Sequence, residues 1–217
     1  MIIERDVYAV GFDLDGTLYR DTPEIQNRVR TEIAKHLLIK NPNLVTISNA
    51  RLYFEDRYKI LQSGTKVLAE AGYEEASKIM DDCLARADII DLLKVDEKLA
   101  QIMNSIKTVF FTYLITGSPR DIASKKLARI GLNYTLFNRT VFSDTLNAGS
   151  KSDGTAFQNI LSSISIPPSH HVYIGDRINS DILPAKKLGM KTISVWSNIP
   201  EADLSLKHIH ELEMVLL

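Results

Sequence analysis

Nearly continuous apolar runs alternate along this chain with segments of helical periodicity. Four of the runs, each bounded by turn residues, extend from Tyr8 to Phe12, Val109 to Ile115, His171 to Ile174 and Lys191 to Val195. Strands that are buried on both faces have this unbroken apolar character, whereas a half-exposed strand alternates apolar and polar residues. The pattern therefore predicts an α/β fold, a Rossmann-like core whose parallel sheet is covered by helices on both faces.

The segment between the first two predicted strands has a different pattern, with helical periodicity and many charges. Thr22-Pro23-Glu24 combines an N-cap, a proline at the first helical position and an acidic first turn. The helix that follows carries apolar residues at helical spacing, namely Ile25, Val29, Ile33 and Leu37. Further helices are predicted over residues 49–62, 66–71, 73–87 and 97–106. We therefore predict a sheet core of residues 1–18 and 93–217, and an inserted helical unit, or cap, of residues 19–92.

Composition limits the classes of partner. The chain has 217 residues and 45% apolar content, which is enough for a sizeable core. Its 26 basic and 27 acidic residues give no charge excess that would favour a nucleic-acid polymer or an acidic membrane surface. Cys83 is the only cysteine, which excludes an internal disulfide. With no secretion signal or membrane-spanning run in view, we expect a cytoplasmic protein that acts on a small molecule.

Two aspartates leave the first predicted strand in the stretch Asp13-Leu14-Asp15-Gly16-Thr17. Side chains alternate along a strand, so Asp13 and Asp15 can point into one site at the carboxyl edge of the sheet. Ligands bind at that edge in open α/β sheets. An acidic turn after a strand is common without any function, but two close carboxylates share a proton or hold a cation, and both outcomes are chemically useful.

The second predicted strand brings Thr116 and Gly117 to the same edge. Ser118-Pro119 follows and opens a helix that is predicted to run through Leu127. A strand, a short polar turn and a helix N-terminus can together bind an anion. A Thr-Gly-Ser turn that only caps its helix is the commoner case, so this segment alone decides nothing.

Two later segments add a lysine and two more carboxylates. Lys151 lies in a loop before a helical segment, where a lone lysine is usually solvated. Asp176 follows the third predicted strand, and Asp181 comes five residues later, where it could simply cap a helix. Each signal has an ordinary structural explanation. Together, however, they form a set that would hold Mg²⁺ and a phosphate.

The order of these motifs resembles the haloacid dehalogenase-like (HAD) hydrolase superfamily over essentially the whole chain. The matching segments are Asp13-Leu14-Asp15-Gly16-Thr17, Thr116-Gly117, Lys151, and Gly175-Asp176 with Asp181. The lysine of this family is usually followed by proline, where Ser152 stands here, while Phe157 falls at the position of the family's aromatic residue.

The resemblance implies a Mg²⁺-dependent phosphatase that forms an aspartyl-phosphate. Asp13 would attack phosphorus, and Asp15 would protonate the leaving oxygen and then activate water. The Asp13 carboxylate, the Asp15 backbone carbonyl and Asp176 would hold the metal, with Asp181 orienting its ligand shell. The substrate would be a small phosphomonoester.

The phosphoryl group would be stabilised by Thr116, the backbone amide of Gly117 and Lys151. The presence of Asp15 favours phosphate chemistry over carbon–halogen cleavage, because an alkoxide leaving group needs a proton and a halide does not. A sugar phosphomutase of the same superfamily remains an alternative, and so does a non-catalytic binding protein that keeps the fold.

Substrate choice is expected to lie in the inserted unit, which in similar family members caps the active site. The Tyr-rich helix and Tyr19 resemble the pyrimidine 5′-nucleotidase-type branch, which suggests a nucleoside monophosphate. Tyr19, Tyr53 and Tyr58 could contact such a substrate, although aromatic residues at helical spacing are more often core.

Overall fold

The computed structural model describes residues 7–61, 63–145 and 149–217 of the chain. These residues form two compact units. One comprises the described part of Met1–Asp21 together with Leu93–Leu217, and the other is Thr22–Leu92. The insertion predicted from the sequence begins slightly earlier, at residue 19. We refer to the two as the sheet unit and the helical unit.

The sheet unit is built on a six-stranded parallel sheet. The strands are β1 (Ala9–Phe12), β2 (Phe111–Ile115), β3 (Arg139–Val141), β4 (His171–Gly175), β5 (Lys191–Val195) and β6 (Leu204–Leu206). They lie in the order β3-β2-β1-β4-β5-β6, and every neighbouring pair is parallel. The predicted α/β class with a parallel sheet is confirmed.

The four predicted strands are the central ones, and the two short edge strands were not predicted. All of β1 and β4 is buried, which accounts for their unbroken apolar runs. The edge strands β3 and β6 have three residues each and are partly exposed, so they carry no such run. The prediction that the second strand starts at Val109 is wrong. Val109 is the last residue of a helix and is 62% exposed, and it extends the apolar run without joining the strand.

The helical unit contains α1 (Pro23–Lys40), α2 (Ile47–Leu61), α3 (Gly64–Glu70) and α4 (Ala76–Arg86). The Thr22 hydroxyl accepts a hydrogen bond from the Ile25 amide at 3.3 Å, as the N-cap prediction requires. The core of the unit includes Ile33, Leu37 and Phe54. The helix predicted over residues 73–87 begins in the structure at Ala76, three residues later than predicted. The end predicted for α2, at residue 62, lies outside the described residues.

The sheet unit also contains α5 (Glu97–Val109), α6 (Arg120–Arg129), α7 (Thr155–Ser163), α8 (Leu183–Lys187) and α9 (Leu212–Leu216). One turn of π-helix, Ile178–Ile182, precedes α8. Tyr113, Phe157 and Tyr173 are buried together in a core cluster of this unit. Among the described helices, none combines the length and the apolarity that a membrane crossing requires.

Candidate active site

The carboxyl edge of the sheet brings together the side chains that the sequence singles out. Asp13 directly follows β1, Thr116 follows β2, and Asp176 follows β4. The Asp13 amide donates to the Ile174 carbonyl at 2.9 Å, which ties the start of the turn to β4. Because β1 is the immediate neighbour of both β2 and β4, three polar strand ends meet at one point of the edge.

The turn after β1 depends on a glycine. Gly16 has a φ of +81°, in the left-handed region that side chains disfavour. A Cβ at this position would lie 2.5 Å from Oδ2 of Asp176, which is closer than atoms can approach. The hydroxyl of the buried Thr17 lies 3.2 Å from Oδ1 of Asp176 and 3.4 Å from Oδ2 of Asp13. The turn thus packs directly against the carboxylate that follows β4.

Three carboxylates form an acidic cluster, which consists of Asp13, Asp176 and Asp181. One oxygen from each lies within 4.8 Å of the others. Asp181 reaches the cluster from the π-helical turn and is fully buried. A Cβ on Gly175 would lie 2.3 Å from Cβ of Asp181, so the close approach of that turn requires glycine. The cluster offers only oxygen ligands, and it could hold a divalent cation of the hard type.

The charges of the acidic cluster repel one another. Burial raises the pKa of Asp13 to about 7, and the nearby Asp181 and Asp176 carboxylates add to the rise while Lys151 opposes it. Burial also raises the pKa of Asp176 to about 6, with Asp181 contributing and Arg177 opposing. A cation bound among these oxygens would remove the repulsion.

Lys151 supplies a positive charge to this cluster. Its Nζ donates to Oδ1 of Asp13 at 2.5 Å and to Oδ1 of Asp181 at 2.7 Å. Burial alone would lower the pKa of Lys151, but these two carboxylates raise it above its ordinary value. The second oxygen of Asp181 accepts the Arg177 amide at 3.0 Å. Lys151 therefore remains an ammonium that compensates part of the negative charge of the acidic cluster.

Asp15 lies in a different environment, among hydrogen-bond donors. Its Oδ1 accepts from the Tyr19 hydroxyl and from Nζ of Lys126, the latter at 2.5 Å. Its Oδ2 accepts from Ser118 at 2.8 Å and from Thr116 at 3.3 Å. Burial alone would raise the pKa of Asp15, but Lys126 and the hydroxyl donors hold it well below its ordinary value.

The turn after β2 connects this environment to the predicted phosphate-binding residues. The Thr116 hydroxyl accepts the Ser118 amide at 3.1 Å while it donates to Asp15. Gly117 is exposed, and a Cβ there would meet nothing within 4 Å. Helix α6 begins at Arg120, slightly after the predicted start. The phosphate-binding roles of Thr116 and Gly117 stay predictions.

The tyrosines predicted to contact substrate lie in two places. Tyr19 donates to Asp15. Tyr53 and Tyr58 are partly buried on α2 and pack against the core of the helical unit. The Tyr58 ring lies 5.4 Å from that of Phe54, and the Arg30 guanidinium lies 5.9 Å from its centre. These contacts favour the structural explanation for the α2 tyrosines, and their role in substrate binding stays a prediction.

Lys126 and Ser118 contact Asp15 although the sequence did not single them out. Lys126 lies on α6 and is only 1% exposed. A signal for it exists in the sequence, because Ala123, Leu127 and Ile130 mark the buried face of this segment and Lys126 falls within that face. A lysine in such a stripe needs a buried partner.

Trp196 contacts the turn after β1 from β5. Its indole Nε1 donates to the Thr17 carbonyl at 3.0 Å, and its ring centre lies 4.7 Å from that of His208. Trp196 has a φ of +69°, a conformation that bulky residues seldom adopt, and its amide donates to the Leu206 carbonyl at 2.9 Å. The sequence did not single out this residue either.

Comparison with known proteins gives a consistent result. Residues 7–189 match the family model of the haloacid dehalogenase-like hydrolases. Glyceraldehyde 3-phosphate phosphatase from Methanocaldococcus jannaschii is 26% identical to this chain, in an alignment that covers 87% of this chain and 85% of that protein.

Solved structures resemble the chain over nearly its full length. A haloacid dehalogenase-like family hydrolase from Streptococcus pneumoniae superimposes with a TM-score of 0.69 at 18% identity, covering 99% of this chain and 100% of the other. A HAD phosphatase from Thermococcus onnurineus gives a TM-score of 0.66 at 18% identity, covering 97% and 98%. At these identities the structural likeness shows the fold alone.

Proposed function

This chain belongs to the haloacid dehalogenase-like hydrolase family, and from that premise we propose that it is a Mg²⁺-dependent phosphatase of small phosphomonoesters. The observation that carries the proposal is the pairing of two carboxylates with different surroundings at one strand end. Asp13 lies in the acidic cluster beside Lys151, and Asp15 lies among hydrogen-bond donors. A nucleophile and an acid–base group need such separate environments.

The acidic cluster suits Mg²⁺, which prefers oxygen ligands and binds through one or two carboxylates. Asp13 and Asp176 would hold the ion together with the Asp15 backbone carbonyl, and Asp181 would orient the ligand shell, with its own oxygens held by Lys151 and the Arg177 amide. When bound, the metal would neutralise the charges of the nucleophile and the substrate phosphate.

In the first step, an Asp13 oxygen forms a bond to phosphorus as the bond from phosphorus to the leaving oxygen breaks. The leaving oxygen takes a proton from Asp15. Since Lys126 and the hydroxyl donors hold Asp15 as a carboxylate, it must take up one proton from solvent before the first turnover, and the second step returns that proton to it. In the second step, water attacks the aspartyl-phosphate and gives a proton to Asp15, which releases inorganic phosphate and restores Asp13.

Lys151 would stabilise the charge on the transferring phosphoryl group, together with the Thr116 hydroxyl and the Gly117 amide. Lys151 already faces Asp13 at 2.5 Å, so a phosphoryl group on that carboxylate would lie close to the ammonium. Gly117 is exposed, so its amide belongs to a surface that a ligand can approach.

The substrate class proposed from the sequence is a nucleoside monophosphate. The relative from M. jannaschii, a glyceraldehyde 3-phosphate phosphatase, adds triose phosphates as a second class to examine. Both are small phosphomonoesters with an alkoxide leaving group, so the chemistry at Asp13 and Asp15 would be the same for either.

The proposal is tested by the release of inorganic phosphate from a panel of nucleotides, sugar phosphates and triose phosphates, with Mg²⁺ or with EDTA. Wild type is compared with Asp13→Asn, and with Asp121→Asn as a matched control that changes an exposed aspartate of the same unit. We expect Mg²⁺-dependent release that Asp13→Asn abolishes and Asp121→Asn leaves unchanged.

Other outcomes would contradict the proposal. Conversion of one sugar phosphate into its isomer without phosphate release would identify a phosphomutase. Absence of any turnover would favour a non-catalytic binding protein.

A further inference from the structure

A buried lysine on α6 lies against the candidate acid–base residue. Lys126 is 1% exposed, and its Nζ lies 2.5 Å from Oδ1 of Asp15 and 2.9 Å from Oγ of Ser118. Moving an ammonium group out of water is strongly unfavourable unless a countercharge compensates it. An apolar residue would serve the packing of this helix face at no such cost, so the packing alone does not explain the lysine.

Lys126 acts on both oxygens of Asp15. It donates directly to Oδ1, and it donates to the Ser118 hydroxyl, which in turn donates to Oδ2 at 2.8 Å. The Tyr19 and Thr116 hydroxyls complete the set, so that each oxygen accepts two hydrogen bonds. A carboxylate with all its acceptor positions filled has one defined orientation.

The arrangement gives each candidate catalytic aspartate its own lysine. Lys151 bridges Asp13 and Asp181, whereas Lys126 meets Asp15. Lys151 comes from the loop before α7, and Lys126 from the interior face of α6, where packing fixes its stem. Lys126 is thus built into the scaffold, as a group that positions another group must be.

We propose that Lys126 is a positioning residue that fixes the Asp15 carboxylate for proton transfer to and from the reacting groups. The inference rests on the proposed function, because it assigns Asp15 the acid–base role. Lys126 itself touches neither substrate nor metal in this account. Its loss should therefore impair the proton-transfer steps and leave substrate binding nearly unchanged.

The test compares Lys126→Met with Lys125→Met, which removes the adjacent and exposed lysine of the same helix. Values of kcat and KM are measured with two substrates, the best alkyl phosphate of the panel and p-nitrophenyl phosphate, whose phenolate can leave without a proton. Lys126→Gln, which keeps an N–H donor but no charge, is measured in parallel. If Lys126→Met does not fold, Lys126→Gln takes its place in the comparison.

For Lys126→Met we expect kcat/KM for the alkyl phosphate to fall about 100-fold, the scale of a general acid–base contribution, through kcat with KM changed less than about threefold. For the aryl phosphate the fall should be less than about tenfold, because its leaving group does not depend on the acid. Lys126→Gln should show the same selectivity with a smaller loss, and Lys125→Met should match wild type.

An equal loss of kcat/KM with both substrates would overturn the inference, because kcat/KM reports the step in which the leaving group departs, and a merely structural role would lower it for both alike. A Lys126→Met enzyme as active as Lys125→Met would also overturn it. In both cases the wild type still turns over, and the proposed function stands. If the wild type releases no phosphate from either substrate, the proposed function fails, and the inference fails with it.

Discussion

Asp13 and Asp15 are separated by a single leucine, yet their surroundings shift their properties in opposite directions. Asp13 lies among carboxylates, and its burial there raises its pKa to about 7. Asp15 is also buried, but Lys126 and the hydroxyl groups of Tyr19 and Ser118 hold its pKa well below the ordinary range. The difference comes from the neighbours of each group. Asp13 shares Lys151 with Asp181 and faces other carboxylates, whereas Lys126 and the hydroxyl donors act on Asp15.

The comparison shows how far the protein compensates the negative charge at each aspartate. The acidic cluster has more negative charge than the chain neutralises, and this is the condition under which a protein binds a divalent cation. The surroundings of Asp15 are already balanced, so a metal is not needed to keep it ionised. Under the proposed function, one sequence motif would supply a group that depends on the metal and a group that does not.

The largest expected effect is on catalysis. Asp13→Asn should reduce phosphate release by about 10⁴-fold or more with every substrate, because no other group can form the bond to phosphorus. Asp15→Asn should cost about 100-fold to 1,000-fold with alkyl phosphates and less with p-nitrophenyl phosphate. Steady-state kinetics on both variants measure this. Equal losses on both substrates for Asp15→Asn would show that the two aspartates do not divide the work in this way.

The second effect is on stability, where the two substitutions should have opposite signs. In EDTA at pH 8, Asp15→Asn should lower the free energy of unfolding by about 3 kcal/mol, because Lys126 is left buried without its countercharge. Asp13→Asn should raise it by about 1 kcal/mol, since it relieves repulsion while Lys151 keeps Asp181 as a partner. Urea unfolding of the two variants and of Asp121→Asn decides the matter, and a common sign would contradict the comparison.

The third effect concerns pH in the metal-free protein. The pKa of Asp13 is about 7 in the folded state and near 4 in the unfolded chain, so the folded state binds more protons between these values. The free energy of unfolding should therefore fall as pH rises from about 4 to 7, by about 4 kcal/mol at most, because each unit of pKa difference is worth about 1.4 kcal/mol. The lowered pKa of Asp15 gives the opposite slope, but only below about pH 4.

Thermal melting in EDTA across this pH range measures the effect. Saturating Mg²⁺ should abolish the decline, because the cation takes over the compensation that protons provide. In Asp13→Asn the decline should be much reduced. A pH dependence of the melting temperature in EDTA that Asp13→Asn leaves unchanged would exclude the assigned repulsion.

The smallest expected effect comes from removing one of the hydrogen-bond donors around Asp15. Tyr19→Phe removes a single hydrogen bond, which is worth about 1 kcal/mol, and kcat should fall no more than about tenfold. Tyr134→Phe, which changes an exposed tyrosine of the same unit, is the matched control. If Tyr19→Phe instead raised KM strongly with kcat unchanged, Tyr19 would be a substrate contact, as the sequence first suggested.

The sequence predicted the central sheet and the strand ends with their acids, because both follow from local patterns. Unbroken apolar runs predict buried parallel strands, and the order of the motifs indicated four aspartates, Asp13, Asp15, Asp176 and Asp181. The edge strands β3 and β6 were not predicted, because each has only three residues, partly exposed, which form no unbroken apolar run. Strand pairing alone reveals them.

The sequence did not predict Lys126 as part of the site, for a different reason. A lysine on an amphipathic helix is normally solvated, and the carboxylate that keeps this one buried lies 111 positions away in the chain. The α2 tyrosines show the converse case, because they pack against the core of their own unit and their role in substrate binding stays a prediction. Charge pairing across the fold cannot be deduced from either segment by itself.

The contact between Trp196 and the turn after β1 has a practical consequence. Trp196 is the only tryptophan of the chain, and its indole donates to the carbonyl of Thr17, whose hydroxyl lies between Asp13 and Asp176. Indole emission responds to local polarity and to a neighbouring imidazole such as that of His208. The protein thus contains its own optical probe, and a fluorescence titration should follow cation binding at the acidic cluster without any label.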